Sequence, residues 1–96
     1  MTSIPTQKQP VYGSQAVVAA NQPIASAAGI SVLAAGGNVA DAAVATAFTC
    51  GVVEPQMVGP MGGGYIVFRD ADGGVLVIDN YAEAASAATD TLYEPD

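Results

Sequence analysis

The pattern of apolar and polar positions near the start of the chain predicts a strand followed by a helix. Residues 16–20 are apolar and partly β-branched, which favours a strand. Asn21 is a good N-cap, and Pro23 falls in what would be the first helical turn, where its missing N–H costs little. The helix itself is predicted over residues 24–35 and is expected to end at the glycine pair that follows.

A second helix is predicted directly after that glycine pair. Asn38 can cap it, and Asp41, three residues later, completes a capping-box pattern that also places a carboxylate near the positive end of the helix. This helix is expected to end near Gly51, ahead of Glu54-Pro55. Because neither helix has a fully polar face, both are expected to be covered on most sides by other parts of a protein.

The apolar runs at 65–69 and 75–79, joined by a glycine-containing turn at 70–74, predict a β-hairpin. Both strands are apolar at nearly every position, so both faces of the sheet are expected to be covered, as in a layered α/β sandwich. Residues 80–88 are small and polar-leaning and are predicted to be irregular, with a short helical turn beginning around Thr89.

A glycine-rich loop, residues 56–64, precedes the hairpin and contains Gly62-Gly63-Gly64. Phosphate-binding loops lead from a strand into a helix N-terminus, whereas these glycines run into a strand and no lysine follows. The glycines are therefore interpreted as a place where two backbone segments pass closely. Asp79 ends the hairpin, where site residues often lie, but by itself it is interpreted as a strand-end residue.

Charge excludes several classes of partner and cofactor. The chain has two basic residues, Lys8 and Arg69, nine carboxylates and no histidine, which gives a net charge of −7. Without a basic patch we expect no nucleic-acid partner and no binding to an anionic membrane surface. With one cysteine, Cys50, and no histidine, we expect no zinc site, and nothing in the sequence calls for another metal or a cofactor.

The apolar stretches are too short to span a bilayer. Residues 24–37 and 42–53 are 14 and 12 residues long, against about 20 for a transmembrane helix. The first ten residues are polar, contain two prolines and lack the apolar region of a secretory signal. The expected location is therefore the cytoplasm.

The chain contains three consecutive strings that together are highly specific. They are PIASAAG at 23–29, LAAGGNVADAAVATA at 33–47 and GVVEP at 51–55, followed by the glycine loop and the hairpin. In this order they closely resemble the N-terminal region of the γ-glutamyltransferase family, over residues 16–93. The resemblance implies an α/β (α+β) protein, with an extension at 1–15 and residues 16–96 forming an incomplete part of the four-layer αββα sandwich of an N-terminal-nucleophile hydrolase.

The resemblance also implies a reaction. Such proteins are made as a precursor that cleaves itself into a large and a small subunit, and the catalytic threonine becomes the first residue of the small subunit, with its own α-amino group as base. This chain has no such position, so it is expected to be the first part of a large subunit. Its expected partners are the remainder of that subunit, the small catalytic subunit and a small-molecule amide substrate.

Two positions depart from the family pattern. The family loop usually holds four glycines, and Met61 stands where the first would be. The glutamyl-specific members carry an arginine two residues after the aspartate that ends the hairpin, where it grips the α-carboxylate of the glutamyl group; here that position is Tyr81. A neutral phenol cannot make a bidentate guanidinium–carboxylate contact. Amide hydrolysis through an acyl-enzyme is therefore expected without glutamyl specificity.

Asn80 and Tyr81 are accordingly the predicted substrate-binding residues, with Glu83 as a more distant candidate, and no catalytic residue is assigned within the chain. One alternative is a non-catalytic structural subunit or degenerate homologue of the same fold. Another is a free-standing small binding domain, which the uncharged helices disfavour. A reading frame that continues beyond Asp96 to a self-cleavage site would favour the enzyme over both.

Overall fold

Two helices and a two-stranded sheet make up the regular structure of the chain. The computed structural model describes residues 8–60 and 62–93. Helix α1 spans Pro23–Ala34, helix α2 spans Val39–Val53, strand β1 spans Tyr65–Arg69 and strand β2 spans Val75–Asp79. The helices belong to one unit, which ends at Pro60, and the strands belong to a second unit, which begins at Met61.

Helix α1 begins at Pro23, one residue earlier than predicted, and its N-cap is Gln22 rather than Asn21. The Gln22 backbone is extended and its side chain makes no capping hydrogen bond. The prediction that Asn21 caps this helix is therefore wrong. The Asn21 side-chain amide donates instead to the carboxylate of Glu54, which is distant in sequence. The predicted glycine stop is confirmed, since Gly36 has a φ of 96°, which a residue without a side chain adopts freely.

Helix α2 begins with the predicted capping box. The Asp41 N–H donates to Asn38 Oδ1 at 2.8 Å, and the Asn38 N–H donates to Asp41 Oδ2 at 3.0 Å. The helix continues through Gly51 and ends at Val53, with the Glu54 N–H donating to the Cys50 carbonyl at 2.8 Å. Glu54 leaves the helical conformation because it precedes a proline, whose ring disfavours helical backbone at the residue before it.

The two helices approach closely where Gly29 of α1 lies buried. A Cβ atom built on Gly29 would overlap Thr46 Oγ1 of α2 and would lie 2.9 Å from a methyl group of Val18. Among the described residues of this unit, the buried apolar side chains are those of Ala25 and Ala42. The helices therefore pack through small residues, with backbones near one another.

The predicted strand at residues 16–20 is wrong. This segment is non-helical and joins no sheet in the described part of the chain. It runs beside α1 instead, with Val18 against Gly29. A short β-branched run becomes a strand only when a second strand supplies its hydrogen bonds, and residues 8–60 provide no such partner.

The β-hairpin is confirmed. Strands β1 and β2 are antiparallel, and their register pairs Tyr65 with Asp79 and Arg69 with Val75. The turn between them closes through Asp70, whose Oδ1 accepts from the Gly74 N–H at 2.7 Å, and through Gly73, which has a φ of 89°. Residues 80–88 are irregular, as predicted, whereas the chain after Thr89 forms turns rather than helix.

Large apolar side chains are exposed on both units. Every residue of β2 is exposed, and on β1 only Phe68 is half-buried. Several α1 and α2 side chains are equally open to solvent, for example Ile24, Val39, Val44, Phe48 and Val52. The layers expected to cover both sheet faces are thus not supplied by the described residues. Neither described helix combines the length and the apolarity that crossing a bilayer requires.

Residues 1–96 expressed by themselves are expected to aggregate or to lack fixed tertiary packing, because exposed apolar patches of this kind need a covering surface. Near-UV circular dichroism, thermal unfolding and light scattering measure this directly. A monodisperse 9.5 kDa species with a sharp, cooperative thermal transition would contradict the expectation.

Candidate functional site

The predicted substrate-binding residues Asn80 and Tyr81 come directly after β2, and backbone hydrogen bonds hold the first of them in place. The Asn80 N–H donates to the Gly64 carbonyl at 3.0 Å, and the Gly64 N–H donates back to the Asn80 carbonyl at 3.4 Å. The pairing of the hairpin therefore continues one residue beyond its two strands. Asn80 is exposed, and its position relative to the glycine loop is fixed by its backbone.

Tyr81 is held by both its backbone and its ring. Its N–H donates to Asp79 Oδ1 at 3.1 Å, so the carboxylate that ends β2 serves to shape the turn that follows. Its ring stacks on that of Tyr65, with ring centroids 5.9 Å apart and planes inclined by 16°. Tyr65 pairs with Asp79 across the sheet, so Tyr81 occupies the diagonal position two residues along, within reach of an aromatic ring.

Gly63 allows the segment after β2 to lie against the glycine loop. A Cβ atom built on Gly63 would lie 2.7 Å from the Ala82 nitrogen, 3.0 Å from the Asn80 carbonyl oxygen and 3.2 Å from the Tyr81 carbonyl carbon. These are backbone atoms that cannot move aside independently. The predicted close passage of two backbones is therefore confirmed at this glycine, although its φ is not positive. Met61, the departure in this loop, lies outside the described residues.

The chemistry offered by this segment is polar and aromatic. Tyr65 and Tyr81 are each about two-thirds exposed, so both present ring surface and a phenol to solvent. Glu83 is exposed on the irregular segment that follows. Arg69 lies at the far end of β1 from Tyr65, beside the turn. Within this unit the structure thus brings Asn80 and Tyr81 together with Tyr65, and places its one arginine at the opposite end of the sheet.

No metal centre is evident in residues 8–60 and 62–93, where no three histidine, cysteine, aspartate or glutamate side chains lie close enough to share an ion. The carboxylate of Asp79 accepts a backbone hydrogen bond instead. Asn80, Tyr81 and Tyr65 offer hydrogen-bonding groups and ring surface, and this set of residues includes no nucleophile paired with a base.

A second polar contact, in the helical unit, was not predicted. Glu54 is only 7% exposed, and its Oε1 accepts a hydrogen bond of 2.5 Å from Asn21 Nδ2. The Glu54 carbonyl also accepts from the N–H groups of Met57 and Val58, each at 3.0 Å. The contact ties the segment before α1 to the end of α2. The available signal was that Glu54 is the one charged residue between Asp41 and Arg69.

Comparisons with a family model, with known protein sequences and with solved structures all indicate the same family. The family model described as Gamma-glutamyltranspeptidase matches residues 25–96. The chain belongs to the γ-glutamyltranspeptidase family. It is 51% identical over 88 residues to the Acylase ACY 1 proenzyme of Pseudomonas sp. (strain SE83), and 39% identical over 87 residues to the Glutathione hydrolase proenzyme of Bacillus subtilis (strain 168). These matches cover 92% and 90% of this chain.

Solved γ-glutamyltranspeptidase structures match the fold as well. The enzyme from Helicobacter pylori aligns with a TM-score of 0.79 and 34% identity over 88% of this chain, and 24% of that chain is covered. The enzyme from Pseudomonas nitroreducens, complexed with L-DON, aligns with a TM-score of 0.74 and 36% identity over 85% of this chain, again covering 24% of that chain. The two helices and the hairpin are therefore part of an N-terminal-nucleophile hydrolase fold. The chain spans 16% and 15% of the length of the acylase and glutathione hydrolase proenzymes.

Replacing Gly63 with valine in the full-length protein is expected to lower the free energy of unfolding by about 1–3 kcal/mol, because the new side chain would overlap the backbone of residues 80–82. Thermal unfolding of the purified protein measures the change. The matched control is Gly64→Val, since a Cβ on Gly64 meets nothing within 4 Å. Unchanged melting of Gly63→Val would show that the close approach is incidental.

Replacing Asn21 with alanine is expected to destabilise the full-length protein by about 1–3 kcal/mol, because it leaves the buried Glu54 carboxylate without its side-chain donor. Chemical denaturation measures the loss. Gln22→Ala serves as the control, since the Gln22 side chain makes no capping hydrogen bond. In the double variant Asn21→Ala with Glu54→Leu, much of the loss should be recovered; strictly additive losses would count against the pairing.

Proposed function

We propose that the full-length protein is an amide hydrolase or acyltransferase of the γ-glutamyltranspeptidase family. In the proposed reaction, a threonine hydroxyl outside this chain attacks the amide carbonyl, the amine leaves with a proton, and the resulting ester is cleaved by water or by a second amine. Family membership supports this reaction, as do two relatives whose names describe them as proenzymes. Self-cleavage into a large and a small subunit, with this chain at the start of the large one, belongs to the same proposal.

The role proposed for this chain is to contact the acyl group through Asn80 and Tyr81. The observation that carries the proposal is the position of Tyr81, whose backbone is bonded to Asp79 and whose ring is stacked on Tyr65 at the end of the hairpin. A residue restrained at its backbone and by its ring is suited to orient a substrate, because it loses less freedom on binding than an unrestrained one.

The same observation argues against a glutamyl donor. A glutamyl group presents an α-carboxylate and an α-ammonium, each of which needs a partner in a partly desolvated site, and a charge-assisted hydrogen bond of that kind contributes about 1.5–3 kcal/mol. Tyr81 offers a neutral phenol and a ring face, while Arg69 lies at the other end of β1. We therefore propose that the preferred donor is an amide whose acyl group carries no such pair of charges.

The pattern of relatives is consistent with this preference. The Pseudomonas relative at 51% identity is named an acylase, whereas the Bacillus subtilis relative at 39% identity is named a glutathione hydrolase. The chain thus shares more of its sequence with the acylase of these two. The proposed activity is accordingly an acylase-type amide hydrolysis carried out on the γ-glutamyltranspeptidase scaffold.

Steady-state kinetics on the full-length protein tests the proposal, with γ-glutamyl p-nitroanilide compared against uncharged acyl p-nitroanilides. The wild type should favour an uncharged acyl group, and Tyr81→Arg should raise the ratio of kcat/KM for the γ-glutamyl amide over the uncharged amide by roughly tenfold to a hundredfold, since it restores a guanidinium for the α-carboxylate. Tyr93→Arg is the matched control, because Tyr93 is an exposed tyrosine of the same unit outside the site.

Efficient γ-glutamyl turnover by the wild type, undiminished in Tyr81→Phe, would reject the specificity while leaving the family assignment intact. A matured full-length protein that cleaves none of the amides would instead favour the non-catalytic alternative.

A further inference from the structure

We infer that Tyr65 is a positioning residue for the acyl site, and that Tyr65 and Tyr81 together form an aromatic wall fitted to an uncharged acyl group with a flat apolar face, such as an arylacetyl group. The inference rests on the proposed function, because it names the class of acyl group for the same site. From the sequence, Tyr65 was predicted only as the first residue of a strand.

The two tyrosines of this wall, Tyr65 and Tyr81, are anchored separately. Tyr65 is carried by β1, where it pairs with Asp79 in the register of the sheet. Tyr81 is carried by a segment bonded to the same sheet through Asn80 and Gly64, and packed against Gly63. The Tyr81 N–H is bonded to Asp79 as well, so the strand residue opposite Tyr65 also orients the backbone of Tyr81.

The rings of Tyr65 and Tyr81 are stacked on one another. An inclination of 16° at a centroid distance of 5.9 Å is an offset stack, one of the arrangements that aromatic pairs prefer. One face of Tyr81 is directed toward Tyr65. Both side chains remain about two-thirds exposed, so the described residues of this unit leave most of each side chain uncovered.

The chemistry of the two tyrosine rings indicates which acyl groups this wall binds. A rigid ring face packs best against another flat apolar group, and less surface is available to a group as small as acetyl. The phenol of Tyr81 adds a neutral donor and acceptor at the edge of its ring. The wall therefore discriminates by the shape and polarity of the acyl group, and it holds no cation that would select a carboxylate.

The contribution of Tyr65 is to hold Tyr81 before substrate arrives. Without the Tyr65 ring, the Tyr81 side chain would have to be ordered by the substrate, which weakens binding. This role needs the ring of Tyr65 and not its hydroxyl. Tyr65→Phe should therefore keep the preference for a flat acyl group, whereas Tyr65→Leu, which keeps an apolar side chain without a planar ring, should lose much of it.

The experiment compares kcat/KM of the full-length protein for phenylacetyl p-nitroanilide and acetyl p-nitroanilide. Tyr65→Leu should reduce the phenylacetyl-to-acetyl ratio by about threefold to tenfold, and Tyr65→Phe should preserve it. Tyr93→Leu is the matched control and should leave the ratio unchanged. Should Tyr65→Leu reduce soluble yield, Tyr65→Val replaces it, because valine favours a strand. Equal losses for both amides, or a ratio unaffected by Tyr65→Leu, would overturn the inference.

A binding measurement separates this inference from the proposed function. If the protein cleaves neither amide, the proposed function fails, and the wall is tested by calorimetric titration with phenylacetate and with acetate. Tighter binding of phenylacetate that Tyr65→Leu weakens about threefold to tenfold, and Tyr65→Phe retains, supports the aromatic wall. Equal binding of the two acids, or no binding of phenylacetate, overturns it.

Discussion

The site segment of this chain depends on one steric constraint, the absence of a side chain at Gly63. Because no Cβ is present there, the backbone of residues 80–82 lies against the glycine loop at distances that any other residue would obstruct. That approach lets Asn80 and Gly64 exchange backbone hydrogen bonds and extends the pairing of the hairpin past Asp79. Tyr81 is then delivered to the diagonal position from Tyr65, where the two rings stack. A contact between backbones thus determines where Asn80, Tyr81 and the Tyr65 ring lie relative to one another.

The helical unit follows a related rule, since its contacts are also made by small residues. Gly29 lies where α1 and α2 approach, and Ala25 and Ala42 are the buried apolar side chains among its described residues. Small residues allow close backbones but bury little apolar area, and burial of apolar area is the main driving force for folding. The Asn21–Glu54 hydrogen bond links the segment before α1 to the end of α2. The exposed apolar side chains of both helices are therefore surfaces for the rest of an N-terminal-nucleophile hydrolase fold.

Sequence reasoning succeeded where structure depends on neighbours along the chain. The Asn38–Asp41 capping box spans three residues, and the turn of the hairpin is set by Asp70 and Gly73, so both were predictable. It failed where a partner lies far away in sequence. Asn21 was expected to cap α1 because nothing local shows that its amide bonds to Glu54, 33 residues later. The run at 16–20 has the composition of a strand, but a strand also requires a second strand beside it.

The candidate site shows the same division between local and distant information. Asn80 and Tyr81 were predicted as substrate-binding residues through a family resemblance, and residue chemistry then indicated what a phenol offers at that position. The Tyr65 ring was missed because its contact with Tyr81 depends on the register of the hairpin, which sets Tyr65 opposite Asp79. The bond from residue 81 to Asp79 is made by its backbone N–H, so it does not depend on which side chain residue 81 carries. The backbone would then fix where the acyl group lies, and the side chain at 81, with its neighbour on β1, would decide which acyl group is accepted.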